Sequence, residues 1–270
     1  MHTNTSSVSF WKRRMVVDKQ LATFDRAVQD MYDGAVIHVG GFSGPGECPS
    51  YLIAAIARSG VKNLTVVSNH GGYGEVEMAQ TRALMSDLLT YPADYFSVGL
   101  LVERNQVAKG ILSFPVSPRA KLVLPFERKL REGDIELELV GQGTLAERIR
   151  AARAGLPAFY TPVGADTVTA EGKETRVFEG RPCVLERALK ADFAIIRAHK
   201  ADRWGNLVYR GTGRTFNATM AGAATTTIAE VDEVVPLGDL DPEAVTTPAP
   251  YVQRIVCRPS RPVTDWAKPC

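Results

Sequence analysis

"VGGFSGPGECPSYLIAAIARSG", residues 39–60, sets Gly40, Gly41, Gly44 and Gly46, with Pro45 and Pro49, between an apolar run and a stretch with helical spacing. Upstream, "AVIHVGGF" (35–42) has the β-rich, apolar character of a buried strand. Downstream, Ser50 is placed as an N-cap, Leu52, Ile53 and Ile56 share one helical face, and Gly60 signals the stop. A strand, a glycine loop and a helix in that order form the opening of a parallel crossover unit.

The same alternation continues along the chain. Further strands are expected at "NLTVVSN" (63–69), "VAKGILSF" (107–114), "IELELV" (135–140), "FAIIRAH" (193–199) and "TTTIAEV" (225–231). Helical spacing marks "TFDRAVQDMYDG" through Phe24, Ala27, Val28 and Met31, with Gly34 as its stop. In "GTLAERIRAARAG", Thr144 and Glu147 have the spacing of a capping box and Gly155 ends the helix. The pattern predicts an α/β fold with an open, mostly parallel sheet and helices on both faces. Residues 71–95 interrupt the rhythm and read as an elaborated loop outside the core, and "PVSPRAKLVLP" (115–125) reads as a surface crossing.

Composition excludes several functions. The 270 residues are 45% hydrophobic and 23% charged, with a net charge of +2, enough for a full core and without a Lys/Arg stripe for nucleic acid. No run approaches the roughly 20 apolar residues that span a membrane. Residues 1–17 read as a flexible extension rather than an export signal, with Met15 an alternative start. Cys48, Cys183, Cys257 and Cys270 are scattered without metal or redox spacing, so a reduced cytoplasmic setting and no metal site are expected.

The glycine loop fails as a dinucleotide or nucleotide fingerprint. Counting from Gly44, G-x-G-x-x-G needs glycine at position 49, where Pro49 stands, and no G-K-[ST] ending follows. "GTGRTF" (211–216) fails in the same way at Phe216. In open parallel sheets ligands sit beyond the carboxyl ends of strands, near helix N-termini with free amides, and the loop occupies that place. On its glycines alone, a ligand cradle and a tight turn stand level. A second polar tip, Ser68-Asn69-His70-Gly71-Gly72, ends the neighbouring strand.

Together these two stretches resemble the family I coenzyme A transferases. "DGAVIHVGGFSGPGECP" is similar to the first signature of that family. "KNLTVVSN", "GQGTLAERIRAARAGLPAFYTPVGADTVTAEGKE", "ADFAIIRAHKADRWGNLVYR" and "FNATMAGAATTTIAEVDEVVPLGDLDPEAVTTP" continue the likeness to the first, or A, subunit over roughly residues 18–257. The resemblance implies the transferase fold, shared with the NagB/RpiA-like proteins, over 18–258, followed by a tail at 259–270. It implies a coenzyme A thioester and small carboxylic acids as substrates, with no permanently bound cofactor. The family's nucleophilic glutamate lies in an S-E-N-G motif of the second subunit, and no S-E-N-G occurs here. A B-subunit partner, doubled into an A2B2 assembly, is therefore implied.

Carried over residue by residue, Asn69 matches the asparagine that stabilises the oxyanion, and Gln142 a glutamine lining the same cavity. Gly40, Gly41, Phe42, Ser43, Gly44, Gly46, His70 and Gly143 are implied to face substrate or coenzyme A. This sequence departs from the family at His38 in the apolar run, at His70 where a second asparagine is usual, and at "SFPVSP" in place of G-E-N. His38 reads as a core histidine. Within the family, the 3-oxoadipate branch is the nearest likeness and the acetoacetate branch the alternative. Arg82, Arg119 and Lys121 are candidates for holding a second carboxylate, or are simply solvated. A hydrolase or lyase on the same scaffold, and a ligand sensor without catalysis, are the readings from other classes.

Overall fold

A computed structural model describes residues 17–42, 47–85, 91–117 and 122–269. Twelve strands are present among them: β1 (Gln20–Leu21), β2 (Val36–Val39), β3 (Leu64–His70), β4 (Val107–Phe114), β5 (Glu136–Leu139), β6 (Ala158–Thr161), β7 (Thr175–Phe178), β8 (Arg181–Arg187), β9 (Ala191–Asp202), β10 (Leu207–Val208), β11 (Ala224–Val235) and β12 (Arg254–Cys257). The helices are α1 (Phe24–Val28), α2 (Ser50–Ser59), α3 (Glu75–Met85), α4 (Val98–Glu103), α5 (Pro125–Glu132), α6 (Gln142–Arg153) and α7 (Thr215–Met220).

The main sheet runs β1-β12-β11-β9-β2-β3-β4-β5, and every pair along that path is parallel. Only β10, hooked back on the end of β9, pairs antiparallel to it. The six strands expected from the sequence are all in this sheet; the inner ones are apolar, β-branched runs buried on both faces, whereas β5, at the edge, alternates Glu and Leu and is only partly buried. Neighbouring residues divide between two cores. Val66, Leu112, Ile195 and Ile228 pack on one face with α1, α2, α4 and α5, and Val67, Ile111, Ile196 and Ala229 on the other with α6 and α7.

From β2 the chain proceeds to β3, β4 and β5 on one side, while β9, β11 and β12 lie on the other. The loop after β2 thus opens at the point where strand order reverses, the place where such sheets hold ligands. A separate antiparallel sheet, β6-β8-β7, stands apart from the main one. It is largely exposed and lacks the apolar alternation that marks a strand, so the sequence gives no sign of it beyond its two-residue turn. That turn, Glu179-Gly180, has φ of +50° and +76°, the conformation of a tight hairpin.

Several local expectations are corrected. Pro49 takes the N-cap position of α2, and Ser50 is its first helical residue, with its hydroxyl donating to the Phe96 carbonyl and accepting the Phe96 N–H, each at 3.0 Å. No capping box forms at α6, which starts two residues earlier than Thr144 with Gly141 at its N-cap, so Glu147 instead pairs with Arg150. α1 is only five residues long, capped by Thr23. The segment 71–95 belongs partly to the core: it contains α3, and Met78, Tyr91 and Tyr95 are buried. The tail is docked too, since Val263 N–H donates to the Tyr51 hydroxyl and Arg58 donates to the Trp266 carbonyl. The expected flexible extension, up to residue 16, lies outside the described residues.

Candidate functional site

The carboxyl ends of β2, β3 and β4 and the start of α6 after β5 converge on one cavity of about 540 Å³. Asn69, His70 and Gln142 form its polar end. Phe42, Tyr73, Phe114, Val116 and Leu124 form most of its wall, with Ser117 at the edge.

The polar end has a defined geometry. Asn69 is buried near the carboxyl end of β3, and its Oδ1 accepts a hydrogen bond from Gln142 Nε2 at 2.7 Å. With Oδ1 occupied, the Asn69 Nδ2 amide is the group left to donate, and it has no protein partner among the described residues. Gln142 is the first residue of α6, and from there its side chain reaches across to the end of β3. The sequence leaves Gln142 as either a cavity residue or a support of its own helix; its hydrogen bond goes to Asn69.

His70 follows Asn69 at the tip of β3. Its Nδ1 accepts the Gly72 N–H at 2.8 Å, which places the ring proton on Nε2. Burial holds the imidazole pKa down at about 4, so the ring is an uncharged donor at neutral pH. The turn beyond it is clamped: Ser97 Oγ accepts the Tyr73 N–H at 2.8 Å and donates to the Tyr73 carbonyl at 2.9 Å. Gly72 has φ of +77°, and a Cβ there would stand 2.3 Å from the Gly99 nitrogen. His38, by contrast, is wholly buried in the sheet and kept neutral by that burial, with a pKa of about 4; it is a core residue away from the cavity.

The glycine loop is fixed by a residue that sequence reading missed. Asn217, fully buried on α7, donates from Nδ2 to the Glu47 and Gly213 carbonyls, both at 2.9 Å, and accepts the Arg197 N–H on Oδ1 at 2.8 Å. A Cβ on Gly40 would come within 1.9 Å of Asn217 Oδ1, so only glycine fits. Gly41 has φ of +108°, and Phe42 N–H is taken by the Glu47 carboxylate at 3.0 Å. These contacts bring Phe42 to the cavity mouth, where its ring stacks on Phe216 at 6.1 Å. No local pattern announces Asn217, because two of its three partners lie 20 and 170 residues away and the third is only a backbone carbonyl four residues before it. Gly143 has open space around it, and it does not line the cavity. Ser43, Gly44 and Gly46 lie outside the described residues, as do Arg119, Lys121 and the side chain of Arg82.

One expectation about this loop is overturned. The first N–H groups of α2 do not point free toward a ligand, because Glu230 of β11 occupies them. Its Oε2 accepts from Tyr51 N at 2.9 Å and Leu52 N at 3.2 Å. Arg258 balances that buried carboxylate, pairing with both Glu230 and Asp94 and lying 4.6 Å from the centre of the Tyr51 ring. The protein thus supplies its own anion where a substrate anion was expected.

A second cavity, of about 300 Å³, lies beyond the glycine loop and is charged, with Arg197, His199, Arg210 and Asp232 on its wall. No helix among the described residues is long and apolar enough to cross a membrane, and no group of acidic, His or Cys side chains among them could hold a metal ion.

Comparison with known proteins agrees with this architecture. A family model described as "Coenzyme A transferase" matches residues 21–258. The A subunit of the 3-oxoadipate CoA-transferase of Pseudomonas putida is 44% identical over 253 residues, covering 94% of this chain and 99% of that one. The A subunit of the succinyl-CoA:3-ketoacid coenzyme A transferase of Helicobacter pylori is 41% identical over 241 residues, covering 88% and 92%. Among solved structures, the glutaconate coenzyme A-transferase of Acidaminococcus fermentans superposes with a TM-score of 0.69 at 19% identity, covering 89% of this chain and 76% of that chain.

Proposed function

This chain belongs to the coenzyme A transferase family, and from that premise we propose that it is the first of two subunits of an enzyme moving coenzyme A from succinyl-CoA to a 3-oxo acid. The names of relatives at 41–45% identity support the donor and the acceptor class. The observation that carries the reading is the Gln142 to Asn69 hydrogen bond, which occupies Asn69 Oδ1 and leaves the uncharged Nδ2 amide to donate at the polar end of a cavity built where parallel strands end.

In this reading the nucleophile is a glutamate of the second, or B, subunit. Its carboxylate attacks the thioester carbonyl, and the tetrahedral adduct expels coenzyme A thiolate to leave an acyl-glutamyl anhydride. The thiolate then attacks the glutamyl carbonyl, releasing succinate and leaving a glutamyl-CoA thioester. The acceptor carboxylate repeats the sequence in reverse and departs as its coenzyme A thioester. Each tetrahedral adduct carries charge on a former carbonyl oxygen. Asn69 Nδ2–H is placed to donate to that oxygen, a contribution of about 3 to 4 kcal/mol for a preorganised donor. Gln142 acts through Asn69 as a positioning residue. The fixed neutral His70 adds a second donor at the same end of the cavity, toward the carboxylate of the substrate.

The test is co-expression with the partner chain, followed by assay of thiol exchange from succinyl-CoA to 3-oxo acids. The expected result is a stable A2B2 complex whose exchange shows parallel-line, two-step kinetics. Release of free coenzyme A without need of an acceptor would replace this reading with hydrolysis. An intact complex inert toward every acid would refute it.

A further inference from the structure

The stretch "RGTGR", residues 210–214, sets two glycines between two arginines and matches no nucleotide fingerprint. It forms the turn between β10 and α7, and its first four residues line the charged cavity of about 300 Å³ beyond the glycine loop. Arg210 and Arg214 are both exposed, and neither guanidinium has a partner among the described residues.

The carboxylates of the same wall are engaged by the protein itself. Asp232 pairs with Arg197 at 2.9 Å and lies 3.1 Å from His199 Nδ1, and the Glu47 carboxylate takes the Phe42 N–H at 3.0 Å. The group left to meet an incoming molecule is the Arg210 guanidinium, with Arg214 on the same turn and the Thr212 hydroxyl between them in sequence. A guanidinium stays charged at any working pH and holds a phosphate through paired N–H groups.

The charged cavity is close to the Asn69 site. Asn69 is on β3 and Arg197 on β9, with only β2 between them, so the two positions are separated by two strand spacings, about 10 Å, at the same end of the sheet. The glycine loop divides the cavities, with Phe42 on the wall of one and Glu47 on the wall of the other. Asn217 joins the two sides. Its three partners, Glu47, Gly213 and Arg197, all line the charged cavity, and its Oδ1 abuts Gly40 of the loop.

A small acid held at Asn69 is too short to reach Arg210. A coenzyme A thioester is not, because its pantetheine arm sets the phosphates far from the reacting carbonyl. We propose, on the footing that the transfer reading above holds, that the charged cavity binds the phosphates of the coenzyme A substrate, with Arg210 as their main contact. The arm then crosses the glycine loop, and Asn217 links the phosphate site to that loop, so that binding far from the carbonyl helps to hold it in place.

The experiment compares succinyl-CoA with succinyl-pantetheine, which has the same thioester and no nucleotide, on the intact two-subunit complex with one 3-oxo acid as acceptor. The unaltered complex should favour succinyl-CoA in kcat/KM by at least about ten-fold. Arg210→Ala should shrink that advantage about ten-fold, mainly through a higher KM for succinyl-CoA, and Arg210→Lys should keep part of it. Adenosine 3′,5′-bisphosphate, which carries phosphates and no thioester, should compete with succinyl-CoA and do so about ten-fold more weakly in Arg210→Ala. An equal loss for both thioesters, or no loss for either, would overturn the inference and leave the transfer reading standing. Failure of both Arg210 variants to assemble with the partner chain would assign the cavity to that chain and overturn it as well. An unaltered complex inert toward both thioesters would instead bring down the transfer reading, and this inference with it.

Discussion

Of the helices that begin at the carboxyl end of the sheet, α2 after β2 and α6 after β5 use their first turns in opposite ways. At α2 a buried carboxylate from β11, Glu230, accepts the Tyr51 and Leu52 amides. At α6 no side chain caps the helix, and its first residue, Gln142, reaches out to hold Asn69. The glycine-rich entry is therefore a fixed structural joint, and the entry of α6 is, in the function proposed above, the one that supports the chemistry. A helix N-terminus becomes a ligand site only if the fold leaves it vacant, and whether it does is decided by residues distant in the chain.

Breaking the α2 joint should have the largest effect. Glu230→Ala removes the acceptor of two helix amides and leaves Arg258 short of a partner in a buried setting, so unfolding free energy should fall by about 3 to 5 kcal/mol in chemical denaturation. A loss below about 1 kcal/mol would mean that Asp94 and Asp232 hold Arg258 unaided and that the joint is incidental. At α6 the expected loss is catalytic. Gln142→Ala should lower kcat about ten-fold with little change in stability, because Asn69 Oδ1 loses a hydrogen bond of about 1 kcal/mol and the amide can turn. Gln142→Glu separates orientation from mere packing: it fills the same space, yet puts a carboxylate against Oδ1, and should be at least as slow as the alanine variant. The smallest effect belongs to Glu147→Ala. A capping box would make it cost about 1 kcal/mol; an exposed pair with Arg150 should make it cost less than about 0.5 kcal/mol by thermal or chemical denaturation.

The same contrast explains which parts of the molecule are legible in its sequence. β2, β3, β4, β9 and β11 can be read because a strand buried on both faces must be apolar and β-branched over its buried stretch, and the edge strand β5 by its alternation of Glu and Leu. β1, β10 and β12 are two to four residues long, too short for any period to register. The sheet β6-β8-β7 buries only a few residues, Cys183, Val184 and Glu186 of its central strand, too few to impose a pattern. At the site, Asn69 and Gln142 are found through a family likeness, yet the hydrogen bond between them spans 73 residues and belongs to the fold alone. Glu230 and Asn217 escape notice for that reason: each is an ordinary residue of a strand or helix until residues 170 or more positions away are brought against it. The apolar wall is hidden as well, since Phe42, Phe114 and Leu124 look like core residues in a sequence and are separated by whole elements.

The central claim is that Asn69 donates its amide N–H to the charged oxygen of the tetrahedral adducts. The direct measurement is the turnover of Asn69→Ala in the assembled two-subunit complex, with assembly and stability checked in parallel. The account predicts a kcat lower by about 10² to 10³ with substrate binding little changed; an unaltered kcat in a well-folded complex would contradict it.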